Sequence, residues 1–82
     1  MGKPALSSEL LKAARALLRW EQRQLAEFSA VSISTVKRLE AQPGALIANP
    51  VTIAALKRAL EAGGVEFIDA NGGGPGVRLR GR

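Results

Sequence analysis

The sequence predicts a mostly α domain, four helices followed by a short C-terminal β-hairpin, and three observations carry that expectation. Apolar residues recur at helical spacing in four stretches, most of them preceded by a side chain able to cap a helix. Turn signals separate the stretches, above all Gln42-Pro43-Gly44 and Gly63-Gly64. Beyond Gly64 two short runs have the composition of strands, Val65-Glu66-Phe67-Ile68 and Val77-Arg78-Leu79-Arg80, around a glycine-rich loop.

Residues 1–6 read as a flexible arm, and residues 7–64 as the helical domain. Ser7 or Ser8 caps a first helix that runs to about Leu18; with Ser7 as cap, Leu6 and Leu11 occupy the two positions of a hydrophobic staple. Leu11, Ala14 and Leu18 line its core side, helped by Leu10 and Leu17, while Lys12, Arg15 and Arg19 lie elsewhere on the surface. Arg19–Glu21 turns the corner into a second helix beginning at Gln22, whose buried side is Leu25, Ala26 and Phe28. Trp20, at that corner, reads as a core anchor rather than a base-stacking platform. Val31 sits in the next turn, Ser32 caps a third helix, and Val36 and Leu39 are its buried side. Asn49 caps a fourth helix with Pro50 in the first turn, where its missing N–H is harmless; Ile53, Leu56, Ala59 and Leu60 form its apolar stripe. Residues 65–82 form the hairpin and a basic tail. Their edges could pair two subunits through Val65, Phe67, Ile68, Val77 and Leu79; Arg78, Arg80 and Arg82 could instead make a cationic tail, or the hairpin could fold onto its own helices.

Eighty-two residues make one small domain, which buries only about 60–65% of its unfolded surface. The sequence has no Cys and no His, so disulfides, thiolate nucleophiles, imidazole bases and the usual zinc ligands are excluded. The seven carboxylates are scattered singly. No catalytic residue, metal site, cofactor or small-molecule ligand is therefore expected. No apolar run is long enough to span a bilayer and no secretory signal is visible, so a cytoplasmic protein is the expectation. A net charge of +5 points to a polyanionic partner or to a solvated basic surface.

The placement of charge decides between them. At about 100° per residue, Ser34, Lys37 and Arg38 point away from Val36 and Leu39, so the third helix presents hydrogen-bonding and cationic groups with no carboxylate among them, while Glu40 lies on the flank nearer the core. A short cationic helix held out by a helical scaffold suits the major groove of DNA.

Gln22–Glu40 resembles the helix-turn-helix of phage-repressor and Cro-type regulators, the xenobiotic-response-element family. The matching residues are Gln22, Leu25-Ala26, Val31-Ser32, Val36 and Leu39-Glu40, without a gap, and a looser likeness runs from about Leu10 to Phe67. Two positions depart from the family pattern. Glu21 stands where Ser or Thr usually caps the scaffold helix, and Ala30 where Gly usually makes the turn. At positive φ, Ala costs about 1 kcal/mol relative to Gly.

The resemblance implies a repressor-like fold and a sequence-specific regulator of transcription binding double-stranded DNA. The expectation is a repressor acting as a homodimer on an inverted repeat. Ser34 and Arg38 are the candidate base readers, Arg38 through a bidentate pair with guanine. Ile33, where the family often has a polar reader, either meets a thymine methyl or covers the edge of the core. Gln22, Arg23, Ser32, Thr35, Lys37 and Asn49 are the candidate phosphate contacts, and Gln22 could also brace the recognition helix. An antitoxin-like protein that also binds a toxin, or a protein-interaction module that no longer binds DNA, are the alternatives.

Overall fold

The computed structural model describes residues 6–70 and 72–81; the expected arm at residues 1–5 and the cation Arg82 lie outside them. Four helices precede an antiparallel pair of strands: α1 (Ser8–Leu18), α2 (Gln22–Ser29), α3 (Ile33–Ala41), α4 (Pro50–Gly63), β1 (Val65–Ile68) and β2 (Gly76–Leu79). Local chemistry sets the helix starts. Ser7 accepts from the Leu10 N–H, Ser32 from that of Thr35 and Asn49 from that of Thr52, each filling one backbone donor the helix leaves unpaired. Glu21 starts α2 differently: its own N–H donates to the Gln24 side chain at 2.8 Å, so an acidic residue stands at the cap position without the usual hydroxyl.

Leu11, Ala14, Leu25, Val36, Leu39, Leu56, Ala59 and Leu60 close into one core, with the expected faces of α1, α3 and α4 turned inward. Leu6 is part of that core and not of an arm. Its carbonyl accepts from the Leu46 N–H at 3.0 Å, and Ser7 pairs with Ala45 as an isolated bridge, so the chain is tied down from residue 6 onward. Glu9, at the start of α1, is linked to the same loop. Its carboxyl is held below the ordinary carboxylate range by its own N–H and by that of Gly44.

Two expected core residues lie outside. Leu17 is 39% exposed because Leu18, one position on, takes the inward place; Phe28 is 59% exposed because α2 turns Leu25 and Ser29 inward and leaves Phe28 on its flank. Phe28 finds a neighbour in Trp20, with ring centroids 4.7 Å apart and planes tilted by 44°. The Trp20 indole in turn rests on the backbone of Gly63, where an added Cβ would come within 2.7 Å of the ring and 2.8 Å of Leu18.

The hairpin folds onto its own helices. Its register, Val65 opposite Leu79 and Phe67 opposite Val77, puts these four side chains on one face, which packs against α1 and α4. Val65 has no exposed surface, and Phe67 and Val77 are partly buried. Glu66 and Arg78 pair across the other face at 2.9 Å. β2 begins one residue earlier than expected, at Gly76, and the pairing runs on to Arg80, whose N–H donates to the Gly64 carbonyl at 2.8 Å.

Arg15, expected as a surface cation, is the centre of the packing between α1 and α3. Its Nε donates to Glu40 Oε2 and its Nη2 to Oε1, both at 2.8 Å, while Nη1 donates to the Trp20 carbonyl at 2.8 Å. Gln22 Nε2 adds a third donor to Glu40 Oε1 at 2.9 Å, and the Ser8 hydroxyl donates to the Glu40 backbone carbonyl at 3.0 Å. The Glu40 side chain is only 4% exposed.

Three variants test these elements by chemical or thermal unfolding. Glu40→Gln should cost about 3 kcal/mol, since it leaves Arg15 without its charge partner in a mostly dry site, whereas Gln22→Ala should cost about 1 kcal/mol. Equal losses would remove the distinction drawn between them. Ala30 has φ +60°, so Ala30→Gly should raise stability by about 1 kcal/mol. Gly63→Ala should lose about 1 kcal/mol net, overpacking outweighing the helix propensity gained, and should shift the fluorescence of the sole Trp. An unchanged emission spectrum would mean that the indole does not rest there.

Candidate nucleic-acid interface

The three-residue turn 30–32 sets α3 across α2. Its first residue, Ala30, takes the left-handed conformation that glycine adopts without strain, so its side chain adds strain to the turn. Val31 packs partly into the core, and its N–H donates to the Ser29 hydroxyl at 3.3 Å. Ser32 then opens α3, accepting from the Thr35 N–H at 3.2 Å and donating to the Thr35 hydroxyl at 2.9 Å, with the Ser34 hydroxyl 3.4 Å away.

With Val36, Leu39 and Glu40 buried, the opposite side of α3 is open. Ser34, Lys37 and Arg38 are all exposed there, as the helical period requires. Lys37 pairs with no carboxylate among the described residues. Among the described residues the Arg38 guanidinium reaches only the Ile47 carbonyl, at 3.5 Å, a distance too long to hold it in place. Glu21, Gln22, Arg23, Ile33 and Lys37 line one shallow groove between the start of α2 and the start of α3. Thus four of the residues expected to meet DNA, from two helices, converge on one concave surface.

Within that group the roles differ. The Gln22 amide is committed to Glu40, so it braces α3 against α2, the second of the roles open to it. Arg23 is mostly exposed and lies 3.6 Å from Glu21, an exposed pair worth little and readily exchanged for a phosphate. Ser32 and Thr35 are occupied with each other and with the α3 backbone. Asn49 is likewise occupied, its side chain accepting from Thr52 N–H at 2.9 Å. These three shape the ends of helices before they touch anything outside.

The residues expected to form a dimer are divided by the fold. Val65 is sealed in the core and has no surface to offer, and Phe67 and Val77 are half spent on α1 and α4. Leu79 is 52% exposed, and Ile68 lies on the outer face with Glu66 and Arg78. The apolar face of the hairpin therefore serves this chain's own core first. Arg80 is similarly engaged, donating to the Glu61 carbonyl at 2.6 Å.

Sequence reasoning missed the Arg15–Glu40 pair and the exposure of Phe28. For the first, the only available signal is that Glu40 and Arg15 both fall toward the core side of their helices. Among the described residues no group of three or more His, Cys, Asp or Glu could hold a metal ion, and no helix is long and apolar enough to cross a membrane. The sequence matches no protein-family model and no curated protein, and the site rests on its own geometry.

Proposed function

We propose that the chain is a sequence-specific double-stranded DNA-binding regulator of transcription, a repressor-like helix-turn-helix protein in which α2 is the scaffold and α3 the recognition helix. The observation that carries this reading is the carboxylate-free outer side of α3. Ser34, Lys37 and Arg38 are exposed together there, while the acidic residue of the same helix is turned inward and neutralised. A solvated helix face with no partner has no need of that segregation. A face that meets phosphates does, because a carboxylate there would oppose every contact.

Arg38 and Ser34 are the proposed base readers. Arg38 is long, unclamped and able to form two parallel bonds to guanine O6 and N7. Lys37 and Arg23 flank the groove as phosphate contacts. One copy so equipped reads few base pairs: each bidentate pair discriminates by about 1–3 kcal/mol, whereas specific sites are preferred by about 4–10 kcal/mol. Two copies on an inverted repeat, with half-sites about 34 Å apart, close that gap. Occupying a promoter then represses it.

Binding to duplexes should weaken steeply with salt, with a slope of log K on log salt of about −2 to −3 for each bound copy. A flat response would overturn the DNA reading and leave a protein-interaction module. On a duplex selected from a random pool, Lys37→Ala should weaken specific and non-specific binding alike and reduce the slope by about 1. Arg38→Ala should weaken the selected site about tenfold more than random duplex; equal losses would make Arg38 a phosphate contact only.

A further inference from the structure

One residue of the groove does not fit a purely polar surface. Ile33, the first residue of α3, is 38% exposed and lies among Glu21, Gln22, Arg23 and Lys37. Lone exposed aliphatic side chains are ordinary on a protein surface and ask for no explanation. Ile47 and Val51, each far more exposed, are of that kind. Ile33 differs in its setting. Its exposed surface lies in the groove that it lines with Gln22, Arg23 and Lys37.

We infer that Ile33 makes the site a reader of the C5-methyl group of a pyrimidine. The inference rests on the DNA-binding reading above and adds a chemical class of base to it. In the major groove an apolar side chain has one apolar target, the methyl that thymine carries at C5. 5-Methylcytosine carries the same methyl at the same place. Lys37, in the same groove, supplies the net positive charge that draws a phosphate backbone, which favours DNA over an apolar peptide as the occupant. The Glu21 carboxylate also lines the groove and is matched by Arg23 at 3.6 Å. Ile is stiff at χ1, so its methyl-bearing end is held in place at little entropic cost.

The test uses the full chain and the duplex selected above, with each thymine replaced singly by uracil and each cytosine by 5-methylcytosine. At one pyrimidine position in each half-site, losing the methyl should weaken binding about threefold to tenfold, or gaining it should strengthen binding by a similar factor. Which substitution responds tells whether the source is thymine or methylated cytosine. Ile33→Ser should bind with the affinity of the demethylated duplex and lose the response. Ile33→Val, one methylene shorter, should keep part of it. If no position responds in the unaltered chain, or if Ile33→Ser responds undiminished, the inference fails. The scan on the unaltered chain decides even if Ile33→Ser does not fold. A chain that binds duplex with a salt slope but ignores the methyl loses only this inference, whereas one that binds no duplex loses the DNA reading as well.

Discussion

Glu40 is the one carboxylate that this small core encloses, and the placement of α3 depends on it. Its oxygens receive both arms of the Arg15 guanidinium and the Gln22 amide, and its backbone carbonyl receives the Ser8 hydroxyl. Those donors belong to α1 and α2. Apolar contacts through Val36 and Leu39 are non-directional and would allow α3 to roll or slide by an ångström. Three charge-assisted or side-chain bonds to a single carboxylate forbid that motion, because planar groups must meet in one geometry. Such a pair adds less stability than its Coulomb attraction suggests, since both ions lose water. Its contribution here is orientation. The helix is held at one angle, and Lys37 and Arg38 are turned outward by the same constraint that turns Glu40 inward.

The rest of the fold completes a core that four short helices cannot close alone. Val65 fills the space between α1 and α4, Phe67 and Val77 extend the cover, and Lys57 lies 5.9 Å over the Phe67 ring. At the far end of α4, Gly63 lets Trp20 come down onto its backbone, and Phe28 leans on Trp20 from α2. This aromatic corner is distant in role from the cationic face. It fixes the bend between α1 and α2, from which the groove follows.

What could be read from the chain was whatever is local. Ser7, Ser32 and Asn49 sit one residue before their helices, and the glycine pair 63–64 ends the last of them; spacing alone reveals such features. The outward direction of Ser34, Lys37 and Arg38 follows from a helical period counted over a few residues. The Arg15–Glu40 pair joins residues 25 positions apart; Arg15 falls nearer the core side of its helix than Lys12 or Arg19, but spacing within one helix names no partner on another. Phe28 was misplaced because size suggested burial while the angle around α2 put it on a flank. For the hairpin, alternation marked two strands but could not say which partner would cover their apolar face. That depends on where the bend at Gly64 aims them, with φ at +119° and one bond from Arg80 closing the start of the pair.

The hairpin's position also bears on how the chain comes into being. β2 packs on α1, the first helix, although the two lie at opposite ends of the sequence. A domain usually folds as a unit during synthesis. Here the helices can form their own turns as they emerge, but the face of α1 and α4 that Val65, Phe67 and Val77 cover stays wet until residues 76–79 are free to turn back. The contacts of β2 with α1 form only once residues 76–79 have been made, so the cover over that face of α1 is the last part of the core to close.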